Sequence, residues 1–128
     1  MLALASRRNA TAISARQLQL HEGDATDLPF SDGQFTAATT INAFFFFNTP
    51  QAVLAEAYRT LAPAGRIAIH TTDTAPPCLA RRMRLYTDDE LKQMLEQAGY
   101  EHISLRRTGR REQAQLVTAQ KPELALPV

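Results

Sequence analysis

The sequence predicts an α/β layered fold on a largely parallel sheet. Three observations carry that expectation: strand-like stretches alternate with stretches of helical period, residues 35–41 have too little polarity for a face in water, and two strand-like runs close the chain around a glycine turn. With 128 residues, 45% of them hydrophobic, the chain has the size and apolar content of one small domain with a single core.

Residues 1–15 place Leu2, Ala5, Ala12 and Ile13 near helical spacing among Arg and Ser, which predicts an amphipathic helix with no capping residue before it. Leu18 and Leu20 then alternate with Gln17, Gln19 and His21, the period of a short strand ending at Gly23-Asp24. Pro29 and Asp32-Gly33 punctuate the loop that follows, and residues 35–41, rich in Ala and Thr, read as a strand covered on both sides. Thr49-Pro50 marks a helix start, since proline at the first helical position loses nothing by lacking an N–H, and Leu54, Ala57, Tyr58 and Leu61 share one face. Pro63-Ala64-Gly65 stops that helix, and residues 66–72 form the next strand.

An irregular segment with Pro76-Pro77, Arg81, Arg82 and Arg84 leads to a capping box at Thr87 and Glu90, where each side chain satisfies the other's backbone donor. Leu91, Met94, Leu95 and Ala98 make the buried face of that helix and Gly99 closes it. Residues 100–107 and 112–120 read as a hairpin around Gly109. The expected domain is thus 1–120, with residues 121–128 as a tail.

A net charge of +1 supplies no basic footprint for a phosphate backbone, so nucleic acid is not an expected partner. The single Cys78 excludes an intramolecular disulfide and any multi-cysteine metal site. The longest apolar run, residues 43–47, is far below the roughly 20 residues that cross a bilayer, so no membrane partner is expected and a soluble, cytoplasmic protein is. No spacing among the three histidines, Cys78 and the carboxylates makes a metal site.

The stretches Gly23-Asp24-Ala25-Thr26-Asp27-Leu28-Pro29-Phe30, Asp32-Gly33-Gln34-Phe35 and Leu61-Ala62-Pro63-Ala64-Gly65-Arg66-Ile67, in this order, resemble class I S-adenosylmethionine-dependent methyltransferases of the ubiquinone/menaquinone-biosynthesis type. The resemblance implies an incomplete Rossmann-like fold: strands 3 to 7 of a seven-stranded sheet ordered 3-2-1-4-5-7-6, without strands 1 and 2. The glycine-rich cofactor loop and the acidic residue that binds the ribose lie in the part without a counterpart here. Two positions depart from the family pattern. Thr36 stands where an aspartate is usual, and Ala64 stands for a glycine; alanine resists positive φ, so a different turn is expected after Pro63.

By the same resemblance the cofactor is S-adenosylmethionine, with weak or absent binding expected. Asp24 would accept from the adenine amino group and Ala25 would offer its N–H, although Gly-Asp alone favours a simple Asx turn. Thr40, Ile41 and Asn42 fall at the end of a parallel strand, where ligands collect, and Asn42 alternatively serves a local turn. Phe44, Phe45, Phe46 and Phe47, the first two above all, are candidate walls of an apolar acceptor pocket, against the stronger reading of plain core. His70 is the candidate general base, against an ordinary strand residue, and Arg81 a candidate for an anionic acceptor group, against a solvated surface. The hairpin arginines Arg106, Arg107, Arg110 and Arg111 read as solvated.

Two functions follow. One is methyl transfer to a small-molecule acceptor, impaired in cofactor binding; such displacement needs alignment and desolvation more than a catalytic triad. The other is a non-catalytic module that forms a homodimer through exposed sheet edges. The uncapped first helix also raises the expectation that Met1 is an internal methionine of a longer protein.

Overall fold

A computed structural model describes residues 2–123; Met1 and residues 124–128, most of the expected tail, lie outside the described residues. Two short helices, α1 (Leu2–Arg8) and α2 (Ala10–Ser14), replace the single helix expected at the N-terminus. The break is at Asn9, whose backbone leaves helical angles and whose side-chain amide donates to the Ala5 carbonyl at 2.9 Å. Neither helix buries a side chain.

The sheet contains β1 (Phe35–Ile41), β2 (Leu61–Thr72), β3 (Glu101–Thr108) and β4 (Ala114–Gln120) in the order β1-β2-β4-β3. β1 and β2 are parallel, while β4 runs antiparallel to both neighbours. This is the 4-5-7-6 part of the expected family order. The expected strand over Leu18 and Leu20 does not form: the two leucines are half-buried and Gln19 and His21 exposed, so the alternation survives, but residues 18–22 join no ladder. A strand in the family's third position pairs with the second, and among the described residues no such neighbour exists to take up its backbone groups.

Helix α3 (Pro50–Thr60) connects β1 to β2, and α4 (Asp88–Gln97) precedes the hairpin. Thr49 stands at the N-cap of α3 without a side-chain cap bond; proline at N1 sets the start there. At α4 the expected capping box is present, with Glu90 N–H donating to Thr87 Oγ1 and Thr87 N–H to Glu90 Oε1, both at 3.1 Å. Gly99 follows at φ +99°. The Gly109 turn also holds as expected, with Gly109 at φ +78°.

Both helices pack on one sheet face, and the core there joins Leu54, Leu91 and Leu95 to Ile67, Ile69, Val117 and Phe44. Within β1 this corrects the expectation of a strand covered on both sides: Thr36, Ala37 and Thr39 are exposed, as is Ile41 at 68%. The cross-strand partners Thr39–Ala68–Thr118 and Ile41–His70–Leu116 occupy that second face. Its chemistry is small and mixed because no helix among the described residues buries it.

The Pro63-Ala64-Gly65 triplet is looped out of the β1–β2 ladder: β2 advances from Leu61 to Arg66 while β1 advances only from Phe35 to Ala37. Contrary to expectation Ala64 does take the left-handed conformation, at φ +66°. Lys121 supplies the compensation. Its carbonyl accepts from Ala64 N–H at 3.1 Å, its N–H donates to Gly65 at 2.8 Å, and its ammonium donates to the carbonyls of Tyr58 (2.9 Å) and Leu61 (2.8 Å) at the end of α3. Lys121 therefore closes a helix and belongs to the domain rather than to a tail.

Arg107 also departs from the solvated role expected for the hairpin arginines. Half-buried, it bridges Asp73 Oδ2 at 2.6 Å and Asp88 Oδ1 at 2.7 Å, and the fully buried Gln115 donates to the same Asp88 oxygen at 2.8 Å. The Gln115 amide and the Arg107 guanidinium hold the Asp88 carboxyl below the usual carboxylate range, against the opposing effect of burial.

Candidate cofactor and acceptor site

The parallel pair β1 and β2 ends in register, with Ile41 beside His70, and the chain turns sharply at the next residue. Asn42 sits there at φ +53°, a conformation that asparagine tolerates better than most residues. Its N–H donates to the His70 carbonyl at 2.9 Å and its side-chain oxygen lies 3.1 Å from His70 Nδ1. The turn expected at Asn42 is therefore present, and so is a side-chain contact that sequence reading did not anticipate.

Asp24 forms the Asx turn that Gly-Asp predicts. Its Oδ1 accepts from Thr26 N–H at 2.9 Å and from the Thr26 hydroxyl at 2.8 Å, while its carbonyl accepts from Asp27 N–H at 3.0 Å. The Thr26 backbone bond, then the hydroxyl, holds the Asp24 carboxyl below its ordinary value. Among the described residues the second oxygen has no hydrogen-bond partner, so a stable carboxylate remains with one acceptor atom open.

A cleft of about 420 Å³ runs along this turn, walled by Gly23, Asp24 and Ala25 on one side and by Phe46 and Phe47 on the other. The four phenylalanines divide by depth. Phe44 is fully buried and Phe45 is 7% exposed, both as expected for core, whereas Phe46 is 47% exposed. The aromatic wall of the cleft thus falls to Phe46 and Phe47, the outer two of the four candidates. The short 3-10 helix Phe44–Phe46 explains the division, because its tight turn sends successive rings to different sides.

Behind the cleft, an apolar cavity of about 210 Å³ lies among Ala25, Leu28, Thr40, Phe44, Phe47 and Leu54. Thr40 contributes a buried hydroxyl oxygen with no hydrogen-bond partner, which fits a site that accepts a further polar group. A third depression, about 270 Å³, belongs to the open sheet face and is lined by Thr39, Thr40, Ile41 and His70. Among the expected residues the structure thus brings Asp24, Ala25, Thr40 and Phe44 together around two adjoining spaces, and Ile41 and His70 into a third that Thr40 shares. Arg81 is exposed and lines none of these three spaces. Phe45 is tied instead to the arginine-rich segment, its carbonyl accepting from Arg84 N–H at 2.7 Å.

The turn is held by a pair that sequence reading missed. Glu56 and Arg59, one turn apart on α3, bind each other at 2.6 and 2.9 Å and reach the loop that follows Asp24. Arg59, then the Leu28 N–H, lowers the Glu56 carboxyl to about 2; Glu56, then Asp32, raises the Arg59 guanidinium in turn. Their i,i+3 spacing was visible, but it is a common surface pattern with no sign of the distant loop it grips. Among the described residues no three His, Cys, Asp or Glu side chains gather as a metal site, and no helix is long and apolar enough to cross a membrane.

Comparison with known proteins bears on the family and the fold. Residues 1–69 match the model of a family described as a methyltransferase domain. A demethylmenaquinone methyltransferase of Thermus thermophilus is 43% identical over 70 residues, covering 54% of this chain and 30% of its own length. A ubiquinone/menaquinone biosynthesis C-methyltransferase of Roseobacter denitrificans is 33% identical over 95 residues, covering 73% of this chain and 38% of its own. The chain therefore spans about a third of the length of these relatives. Among solved structures, the [4+2]-cyclase SpnF superposes on 95% of this chain and 62% of its own with a TM-score of 0.83 at 16% identity, which establishes the fold and leaves the reaction open. The family match over residues 1–69, more than half of the chain, makes this chain a member of the methyltransferase-domain family.

Proposed function

We infer that the chain carries the adenine side and the acceptor side of a methyl-transfer site for a small-molecule acceptor, and that alone it binds its cofactor weakly. One observation supports this above the others: the Asp24–Ala25 turn, the buried Thr40 hydroxyl and the Phe46–Phe47 wall adjoin at the carboxyl end of β1, where parallel sheets receive ligands. S-adenosylmethionine supplies a methyl group on a positively charged sulfur. The open Asp24 oxygen suits the adenine amino group as acceptor, and Ala25 contributes its backbone beside it. Thr40, Ile41 and Asn42 border the strand end, where their backbone suits the amino-acid part of the cofactor.

Displacement at a methyl carbon requires the acceptor atom in line with the departing sulfur and little water between them. Phe46 and Phe47, with Phe44 behind, exclude water on that side, while Phe45 supports them from below with its ring 4.6 Å from Phe46. His70, its Nδ1 engaged by Asn42, keeps Nε2 on the open sheet face, where it suits taking a proton from an acceptor that extends past Thr40 into that third depression. Arg81, on the exposed segment beyond, suits an anionic acceptor group that reaches out of the cleft. Weak binding follows from family resemblance: the glycine-rich loop and ribose carboxylate have no counterpart among these residues.

Calorimetric titration with S-adenosylmethionine, paired with backbone NMR, tests the reading. Affinity weaker than micromolar is expected, with shifts at Asp24–Thr26 and Thr40–Asn42. Submicromolar affinity would sink the claim of weak binding, and shifts confined to other residues would sink the site.

A second reading has its own observation. β1 is an edge strand with Ile41 68% exposed, and residues 18–22 join no ladder, so backbone groups stand open to another chain. In this reading the module forms a homodimer without catalysis. Light scattering that finds only monomer at micromolar concentration removes it.

A further inference from the structure

The loop between Asp24 and β1 is fastened chiefly by two side chains of α3. Leu28 N–H donates to Glu56 Oε1 at 2.9 Å and its carbonyl accepts from Arg59 Nη2 at 3.1 Å, so both polar groups of this residue belong to the α3 pair. Arg59 Nη1 donates to the Phe30 carbonyl at 2.9 Å and to Asp32 Oδ1 at 2.7 Å, and the Arg59 carbonyl accepts from Gly33 N–H at 2.9 Å. Leu28 directly follows Asp27, which pairs with Asp24 in an isolated bridge. On the other side of the turn, residues 19–23 donate no backbone hydrogen bond among the described residues. Their contact there is His21, whose ring stands edge-on to Phe30 at 5.0 Å, and Phe30 is itself held by Arg59.

We propose that Arg59, oriented by Glu56, is a positioning residue for the adenine subsite: it fastens the segment that leaves the Asp24–Asp27 turn, residues 28–32, to α3 without itself touching ligand. The geometry suits a guanidinium and no other side chain, because a planar fork serves two carbonyls and two carboxylates at once. Asp32 is the least of these partners, with 82% of its side chain exposed against 15% for Glu56. The functional content lies in the Leu28 and Phe30 carbonyls. Without Arg59 they would need water, and the turn carrying Asp24 would sample several heights above the cleft.

This proposal rests on the cofactor reading above, and the test separates the two. The unaltered chain, Arg59→Ala, Arg59→Lys and the exposed control Arg106→Ala are each titrated with adenosine and followed by backbone NMR, with the Ile69 and Val117 amides reporting the sheet. Adenosine shifts the Asp24–Thr26 amides of the unaltered chain and of Arg106→Ala with equal affinity. Arg59→Ala weakens that binding on the order of tenfold, about 1.4 kcal/mol by the standard conversion, while the sheet amides stay in place. Arg59→Lys keeps the charge, fails to restore affinity, and carries the comparison should the alanine variant lose the sheet. Lysine restoring full affinity would reduce Arg59 to a generic charge and overturn the proposal, as would unchanged affinity in both variants. An unaltered chain whose Asp24–Thr26 amides ignore adenosine at millimolar concentration would overturn the cofactor reading, and this proposal with it.

Discussion

Asn42 and His70 are joined twice across the ends of two parallel strands, by a backbone hydrogen bond of 2.9 Å and a side-chain contact of 3.1 Å. The first fixes where β1 stops. The second decides how the imidazole is used: with the amide oxygen as acceptor, neutral His70 carries its proton on Nδ1 and presents a lone pair at Nε2.

Replacing Asn42 separates these effects. Asn42→Gly keeps the positive φ without a Cβ and loses only the contact to His70, so stability should change by less than about 0.5 kcal/mol. Asn42→Ala loses the same contact and leaves a residue that resists φ +53°, costing about 1 kcal/mol more. In both variants, imidazole nitrogen shifts should show His70 losing its preference for the Nδ1–H form. A retained preference would mean that Asn42 does not set the tautomer.

Lys121 is expected to matter more than its place after the last strand suggests. Its ammonium meets two helix-end carbonyls at 2.9 and 2.8 Å and stands 4.7 Å above the centre of the Tyr58 ring. Lys121→Met keeps much of the aliphatic stem and loses these charged contacts. Urea unfolding should show a loss of about 2 kcal/mol. A loss below about 0.5 kcal/mol would show that water replaces the ammonium at little cost.

Ala64 offers the opposite sign. A side chain at φ +66° is strained, and glycine removes that strain while adding backbone freedom to the unfolded chain. Ala64→Gly should therefore stabilise the protein by about 0.5 kcal/mol, read as a raised urea midpoint. The neighbouring glycine cannot be exchanged in return, because a Cβ on Gly65 would lie 2.7 Å from the Ala62 carbonyl oxygen. Gly65→Ala is expected to lower the midpoint.

The Glu56 carboxyl, lowered to about 2 by Arg59 and the Leu28 N–H, makes the loop sensitive to acid. Its folded value lies below the ordinary 4.5, so the unfolded chain binds the proton more readily and stability rises with pH. The contribution is complete above about pH 4.5 and is lost as pH falls through about 2. Glu56→Gln should flatten the dependence of the urea midpoint on pH in that interval relative to the unaltered chain. Parallel curves for the two proteins would show that the pair is not formed in solution.

The sequence was most legible where structure is local. The capping box at Thr87 and Glu90, the stop at Gly99 and the turn at Gly109 each depend on groups a few residues apart, and each is where the residues place it. The Asp24 turn belongs to the same class. Legibility failed where the outcome depends on distant partners. The alternation from Leu18 to His21 gives the right side-chain directions, but a strand also needs a neighbour to take its hydrogen bonds. Ala64 reads as a poor left-handed residue until Lys121 is seen to hold it, and Arg59 reads as a surface charge until the loop closes over it. The division of the four phenylalanines was hidden for a smaller reason: a single turn of 3-10 helix buries Phe44 and Phe45 and brings Phe46 and Phe47 forward.

The looped-out corner between α3 and β2 also sets an order of events. Ala64, Gly65, Tyr58 and Leu61 all take a hydrogen-bond partner from residue 121, some 60 positions later in the chain. A ribosome that has released only the first hundred residues has exposed the segments of the helix and the strand but not the residue that clasps them. The bend can reach its final shape only after the hairpin has emerged, so a nascent chain stalled before Lys121 should leave this corner open to proteases that the finished protein resists.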